Sequence, residues 1–237
     1  MKGIILAGGN GTRISQYHDK PSKVLLEIDG KPLIISNMER ISAYVDSFIV
    51  VVGKAGKEIK EVVGNVFDGK TVLYAEQTQQ KGPLDALNTA IPYLDDDDVI
   101  LVLGDEFLIG DNIKQCVEAF NRRYPNAILG IIPDSKDDEI RQTYSILYKG
   151  DNRVAHIEEK PKDIDFNHDR GTGYYFLSTK ILSEAKYIPP RSNGQYELAD
   201  LFNHFIAKHK DADIRTKRIA DRAYNINTID VLRELIG

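Results

Sequence analysis

The first apolar run of the chain, Lys2–Ala7, opens directly into Gly8-Gly9-Asn10-Gly11-Thr12-Arg13. Three glycines after such a run let the backbone approach a ligand closely and turn several N–H donors onto one anion. A tight turn without a ligand accounts for the glycines but leaves Thr12 and Arg13 unexplained. Lys23, ten residues after Arg13, closes Lys20-Pro21-Ser22-Lys23, which precedes Val24-Leu25-Leu26. Read alone, Lys23 is either a solvated flank of a strand or a cation for a phosphate. Asp105 closes another apolar run, Val99–Gly104. A carboxylate at the carboxyl end of a strand can hold Mg²⁺ against phosphate oxygens, or it can cap a turn. Two better-known phosphate motifs are missing. The dinucleotide fingerprint needs a third glycine where Ile14 stands, and GxxxxGK[ST] occurs nowhere in the sequence.

These residues need a scaffold, and the hydrophobic pattern supplies one. Lys2–Ala7, Phe48–Gly53, Thr71–Ala75, Val99–Gly104 and Ala127–Ile132 are apolar on both faces, as central parallel strands are. Helical patterns near Pro32–Tyr44, Lys57–Val63, Pro83–Tyr93 and Asp111–Tyr124 separate them. Asp111 is read as an N-cap, and Pro32 and Pro83 as first-turn residues. This alternation predicts an α/β fold with a doubly wound sheet. Beyond about residue 135 the pattern changes. Thr143–Tyr148 and Asn152–Glu158 read as a hairpin around Gly150, and Gly173–Leu177 as a further strand. Helices near Ser178–Tyr187 and Tyr196–His209, a strand near 213–218 and a last helix from about Ile229 follow. The second half is expected to add a mixed-sheet cap.

The composition excludes several classes. The 237 residues are 42% hydrophobic and 28% charged, the balance of a globular chain rather than a disordered or collagen-like one. No apolar run nears the ~20 residues of a membrane span. The net charge of -5 argues against a nucleic-acid partner. Met1–Gly11 is too short and glycine-rich for a signal peptide, and Cys116 is the only cysteine. A cytoplasmic location is expected. Cys116 falls on an apolar helix pattern and reads as a small core residue. The five histidines lack zinc-like spacing. Asp95–Asp98 reads as a solvated loop, with a cation site as the alternative.

Together, Leu6-Ala7-Gly8-Gly9-Asn10-Gly11-Thr12-Arg13, Ser22-Lys23-Val24-Leu25-Leu26 and Gly30-Lys31-Pro32-Leu33-Ile34 resemble the signature of the sugar-1-phosphate nucleotidylyltransferases. The resemblance runs through the whole chain. It implies a Rossmann-like doubly wound mixed sheet with a small capping β-region, the nucleotide-diphospho-sugar transferase type. It also implies one catalytic domain over residues 1–237, with a nucleotide-binding half to about 135 and a sugar-binding half after it. The family's arginine and signature lysine fall on Arg13 and Lys23, and the glycine loop Leu6–Thr12 becomes the nucleotide cradle. Gln77 and Gly82 look like the base-reading segment, since a glutamine amide can pair with a donor and an acceptor on a base edge. Asp105 takes the place of the metal aspartate, and Asn225 that of the second Mg²⁺ ligand. An asparagine there removes one negative charge. Glu159 and Lys160, in Glu158-Glu159-Lys160-Pro161, correspond to the sugar-hydroxyl and sugar-phosphate contacts. Gly173 and Tyr144 correspond to the sugar pocket, and Asp200 to a structural cap or buried partner. Many members carry glycine after that tyrosine; Ser145 stands here and is expected to narrow the pocket.

The resemblance implies that an NTP and a sugar 1-phosphate react with Mg²⁺ to give an NDP-sugar and pyrophosphate. Glucose 1-phosphate with dTTP or UTP is the first expectation, and a homo-oligomer is left open. Arg13 and Lys23 would both face solvent in the empty pocket. Three alternatives stand beside this reading: a cytidylyltransferase for phosphocholine or another phosphorylated alcohol, a non-catalytic nucleotide-sensing module, and an NAD-binding oxidoreductase. The last fails on its fingerprint.

Overall fold

The structure is a computed structural model and describes residues 1–9, 20–164, 167–227 and 229–236. Strand β1 (Lys2–Ala7) is followed by the short β2 (Glu27–Ile28) and β3 (Lys31–Pro32), then by α1 (Leu33–Ser42) and β4 (Phe48–Val52). Next come α2 (Gly56–Val63), β5 (Val66–Phe67), β6 (Lys70–Glu76), α3 (Pro83–Ala90), β7 (Val99–Leu103) and β8 (Glu106–Ile109). The middle of the chain forms α4 (Ile113–Arg123), β9 (Ala127–Ile132), α5 (Asp137–Ile140), β10 (Tyr144–Tyr148) and β11 (Val154–Glu159). It closes with β12 (Arg170–Leu177), α6 (Thr179–Leu182), α7 (Leu198–Lys208), β13 (Ile214–Arg218), β14 (Arg222–Asn225) and α8 (Ile229–Ile236).

Eight strands form one sheet in the order β13-β9-β12-β7-β1-β4-β6-β5. Strands β7, β1, β4 and β6 are parallel, as their two-faced apolar sequences predict. Alternation along each strand divides its residues between two cores. Ile4, Ile49 and Leu101 join α3 and α7 on one face, while Ile5, Val50 and Val102 join α1 and α4 on the other. Cys116 lies in the second core, and burial pushes its thiol up to about 12, which leaves it inert as expected. No helix among the described residues is long and apolar enough to cross a membrane.

The predicted hairpin forms as the β10–β11 ladder, turning through positive φ at Gly150, Asp151 and Asn152. The rest of the expected cap does not form as such. Strand β12 begins earlier than predicted and enters the main sheet, antiparallel to both β7 and β9. Strand β9 therefore has only β13 as a parallel neighbour. Two helix starts also differ. Asn112 precedes α4, and the Asp111 carboxylate accepts from the Ile113 N–H at 2.8 Å. Pro32 lies just before α1 and pairs with Glu27, whereas Pro83 does open α3. The β8–β14 pair was not apparent in the sequence, and it proves central to the site.

Candidate active site

A cavity of about 610 Å³ opens at the carboxyl ends of β1 and β7, where ligands of open α/β sheets bind. Of the residues singled out in the sequence, Leu6, Gly8, Gly9, Lys23, Gln77, Gly82, Asp105, Tyr144, Glu159, Lys160, Gly173 and Asn225 all line it. Ala7 is buried in the sheet beneath. Asn10, Gly11, Thr12 and Arg13 lie outside the described residues.

At the floor of the cavity, Lys23 stands at the start of a single 3₁₀ turn whose Val24 and Leu25 are buried and hold it in place. Its ammonium lies 2.6 Å from Asp105 Oδ2 and 2.6 Å from Asn227 Oδ1. The lysine side chain is 11% exposed, so it does not face solvent as the sequence suggested. It is already committed to an anionic partner. Asn227 donates to Asn225 Oδ1, and Asn225 Nδ2 donates to Glu106 Oε1 at 3.1 Å. The β8–β14 ladder places Asn225 opposite Glu106, and the Ile226 N–H binds the Asp105 carbonyl at 2.9 Å. Glu106 is 1% exposed. Burial pushes its carboxyl up to about 7, against the opposing charge of Arg170.

The Asp105 carboxylate and the Asn225 carbonyl are hard oxygen donors, the type Mg²⁺ prefers. Asp105 already attracts a cationic group, the Lys23 ammonium. Among the described residues no cluster of three or more His, Cys, Asp or Glu gathers. That donor set suits an ion shared between one or two protein oxygens and the phosphates of a substrate.

The next wall follows β6. Gln77 is 7% exposed, not a surface glutamine, and its amide donates to Asp85 Oδ2 at 2.7 Å. Gln80 donates its own amide to the Gly8 carbonyl. Gly82 has φ +104°, and a Cβ there would lie 2.5 Å from the Tyr196 carbonyl oxygen. Only glycine fits this turn.

The far wall is built by the β10–β11 ladder, β12 and α7. Tyr144 pairs with Glu159 across the ladder and stacks on Tyr175, which stacks on Phe202. Burial pushes the Glu159 carboxyl up to about 7, helped by the facing charge of Glu197. Lys160 is more exposed, with its ammonium 3.5 Å from Glu159. Gly173 passes so near β7 and β8 that a Cβ would meet Glu106 Cγ at 2.5 Å. Ser145, expected to narrow the pocket, is buried on β10 and does not line the cavity. Asp200 is a structural partner, held by Arg191 through two bonds of 2.7 and 2.8 Å.

The family model described as nucleotidyl transferase matches residues 2–219. The chain belongs to the nucleotidyl transferase family. A glucose-1-phosphate thymidylyltransferase of Streptomyces antibioticus is 28% identical over 219 residues, which is 89% of this chain and 59% of the relative. The chain thus spans about six tenths of that relative's length. A UTP–glucose-1-phosphate uridylyltransferase of Haloferax volcanii, AglF, is 26% identical over 218 residues, 90% of this chain and 86% of the relative. A UDP-glucose pyrophosphorylase crystallised with UDP-glucose superposes with a TM-score of 0.86 at 18% identity, covering 99% of this chain and 96% of that one. The fold is shared.

Sequence reasoning did not single out Gln80, Glu106, Arg141, Gln142 and Asn227, which line this nucleotidyl transferase's cavity, nor Asp85, which stands behind Gln77. Only Glu106 carried a signal, as an acid directly after Asp105 in a segment with no obvious turn. The others are polar residues in loops or first helical turns, where such residues are ordinary.

Proposed function

We propose that this nucleotidyl transferase joins an NTP to a sugar 1-phosphate, giving an NDP-sugar and pyrophosphate. The observation that carries the reading is the Lys23–Asp105 pair. It places a cation and a carboxylate in one cavity with the Gln77–Gly82 wall and the Glu159–Lys160 wall. A phosphate oxygen of the sugar 1-phosphate attacks the α-phosphorus while the bond to pyrophosphate breaks in line. That oxygen is already anionic, so no general base is required. Catalysis then consists of positioning and charge neutralisation. Lys23 meets the α-phosphate, Lys160 holds the incoming phosphate, and Glu159 accepts from sugar hydroxyls. Arg13 and the N–H groups of the glycine loop hold the leaving phosphates. Asp105 and Asn225 would hold Mg²⁺, which neutralises phosphate charge.

The names of the relatives support UTP or dTTP with glucose 1-phosphate as the first pair to try. A buried lone cysteine suits a reducing cytoplasm. The test is a panel of NTPs against sugar 1-phosphates and phosphocholine, scored by pyrophosphate release, in the wild type, Glu159→Ala and Lys160→Ala. A sugar enzyme is damaged by both substitutions, and a phosphocholine enzyme mainly by the second. Faster turnover of phosphocholine than of every sugar 1-phosphate in the wild type would overturn the reading.

A further inference from the structure

The polar side chains on the cavity floor form a chain of hydrogen bonds with a fixed direction. An ammonium can only donate, so the Asn227 carbonyl must face Lys23 and its NH₂ must turn to Asn225. Asn225 therefore shows its carbonyl to that side and its NH₂ to Glu106, whose Oε1 accepts it. The carbonyl oxygen of Asn225 is thereby kept on the side of Lys23 and Asp105.

Glu106 is a costly group to keep in this place, since a buried acid must be offset by its surroundings. Its second carboxylate oxygen, Oε2, has no hydrogen-bond partner among the described residues. Arg170, itself 5% exposed, opposes its charge, and the absent side chain of Gly173 leaves it room. Asn37 donates to its backbone carbonyl at 3.0 Å, which fixes that part of β8. An apolar side chain would be cheaper if the position only had to be filled.

We propose that Glu106 is a positioning residue of the divalent-cation centre: its Oε1 holds the Asn225 NH₂, so that the carbonyl, not the NH₂, meets a cation at Asp105. This rests on the reading of Asp105 and Asn225 as the cation's protein ligands. It adds an acid that touches neither substrate nor cation and acts through Asn225.

The experiment is a titration of the full chain with Mn²⁺ at a fixed, saturating concentration of the NTP that gives the fastest pyrophosphate release, whose phosphates complete the ion's coordination, read by water-proton relaxation enhancement from the protein-bound ion. Loss of such an outer partner weakens metal binding by roughly 10–100-fold, so Glu106→Leu, which removes the acceptor, should bind Mn²⁺ at least about tenfold more weakly. Adding Asn225→Asp to that variant should restore affinity to within about threefold, because a carboxylate has no wrong face to present. Circular dichroism checks the fold. Should Glu106→Leu not fold, Glu106→Asp replaces it with the same expectation, since the shortened side chain cannot reach Asn225 in the same way. Asp105→Asn is the control. If Asp105→Asn loses Mn²⁺ while the Glu106 variant binds within threefold of wild type, the inference fails and the cation reading stands. If Asp105→Asn binds as the wild type does, or the wild type retains no Mn²⁺, the cation reading fails and this inference with it.

Discussion

The Lys23 ammonium lies 2.6 Å from a carboxylate oxygen of Asp105, a residue 82 positions later in the chain. Opposite charges pair across the cavity floor, and Asn227 completes the lysine's partners. Substrate phosphates and a divalent cation would separate them, the lysine meeting the anion and the aspartate the metal. Lys23→Ala should therefore cost at least ~10²-fold in turnover, the scale of one lost preorganised charge contact. Asp105→Asn should lower activity and raise the Mg²⁺ concentration needed for half-maximal rate. The two side chains are only 11% and 23% exposed, so removing one leaves its partner partly buried and unpaired, and each change should shift stability by on the order of 1–3 kcal/mol. Steady-state rates across a Mg²⁺ series, with thermal melts of both variants, check this. Near-wild-type turnover of Lys23→Ala with every NTP would remove the assigned role.

Glu159 makes folding stability depend on pH. Its carboxyl titrates at about 7 in the folded chain, because burial and the facing Glu197 disfavour its charge. In the unfolded chain a glutamate titrates near its ordinary value of about 4.3. The folded state thus binds the proton more tightly. The stabilisation from this group is complete below about pH 4 and is lost as pH rises through about 7. Glu159→Gln mimics the protonated form. It should match the wild type at low pH and exceed it at about pH 8, by on the order of 1–3 kcal/mol. Urea denaturation at the two pH values decides. A variant less stable than the wild type at the higher pH would contradict the assignment.

Gly82 carries the turn between Gln77 and α3 at φ +104°, hard against the Tyr196 backbone. Gly82→Ala adds both a disfavoured dihedral and a clash with a carbonyl oxygen, so the two costs combine. A loss of at least about 2 kcal/mol is expected. The same change should displace Gln77, whose amide lies 3.5 Å from the Gly82 carbonyl, and raise KM for the NTP. A melt and an NTP titration on the purified variant are the measurements. An unchanged melting temperature would show that Tyr196 yields at little cost.

The sequence by itself determined the sheet's parallel centre and the chemistry offered at its edge. Continuous apolar runs such as Phe48–Val52 can be satisfied only by cover on both faces, and that requirement is local to each run. Asp105 could be picked out because it ends such a run, whereas Lys23 and Gln77 acquired their roles only through the resemblance of their segments to the family's motifs. What the tertiary structure alone decided is which polar groups meet. Asn225 and Glu106 lie 119 positions apart and touch because β14 pairs with β8 in one register. Strand β8 has only four residues, begins with a buried acid and follows Asp105 without an evident turn, so no periodicity announces it. The entry of β12 between β7 and β9 is likewise a choice of partner, made by backbone hydrogen bonds and packing across the sheet. Local sequence states that a strand wants burial; only the assembled sheet states beside which neighbour, and so whether a carboxylate and an amide far apart in the chain become one site.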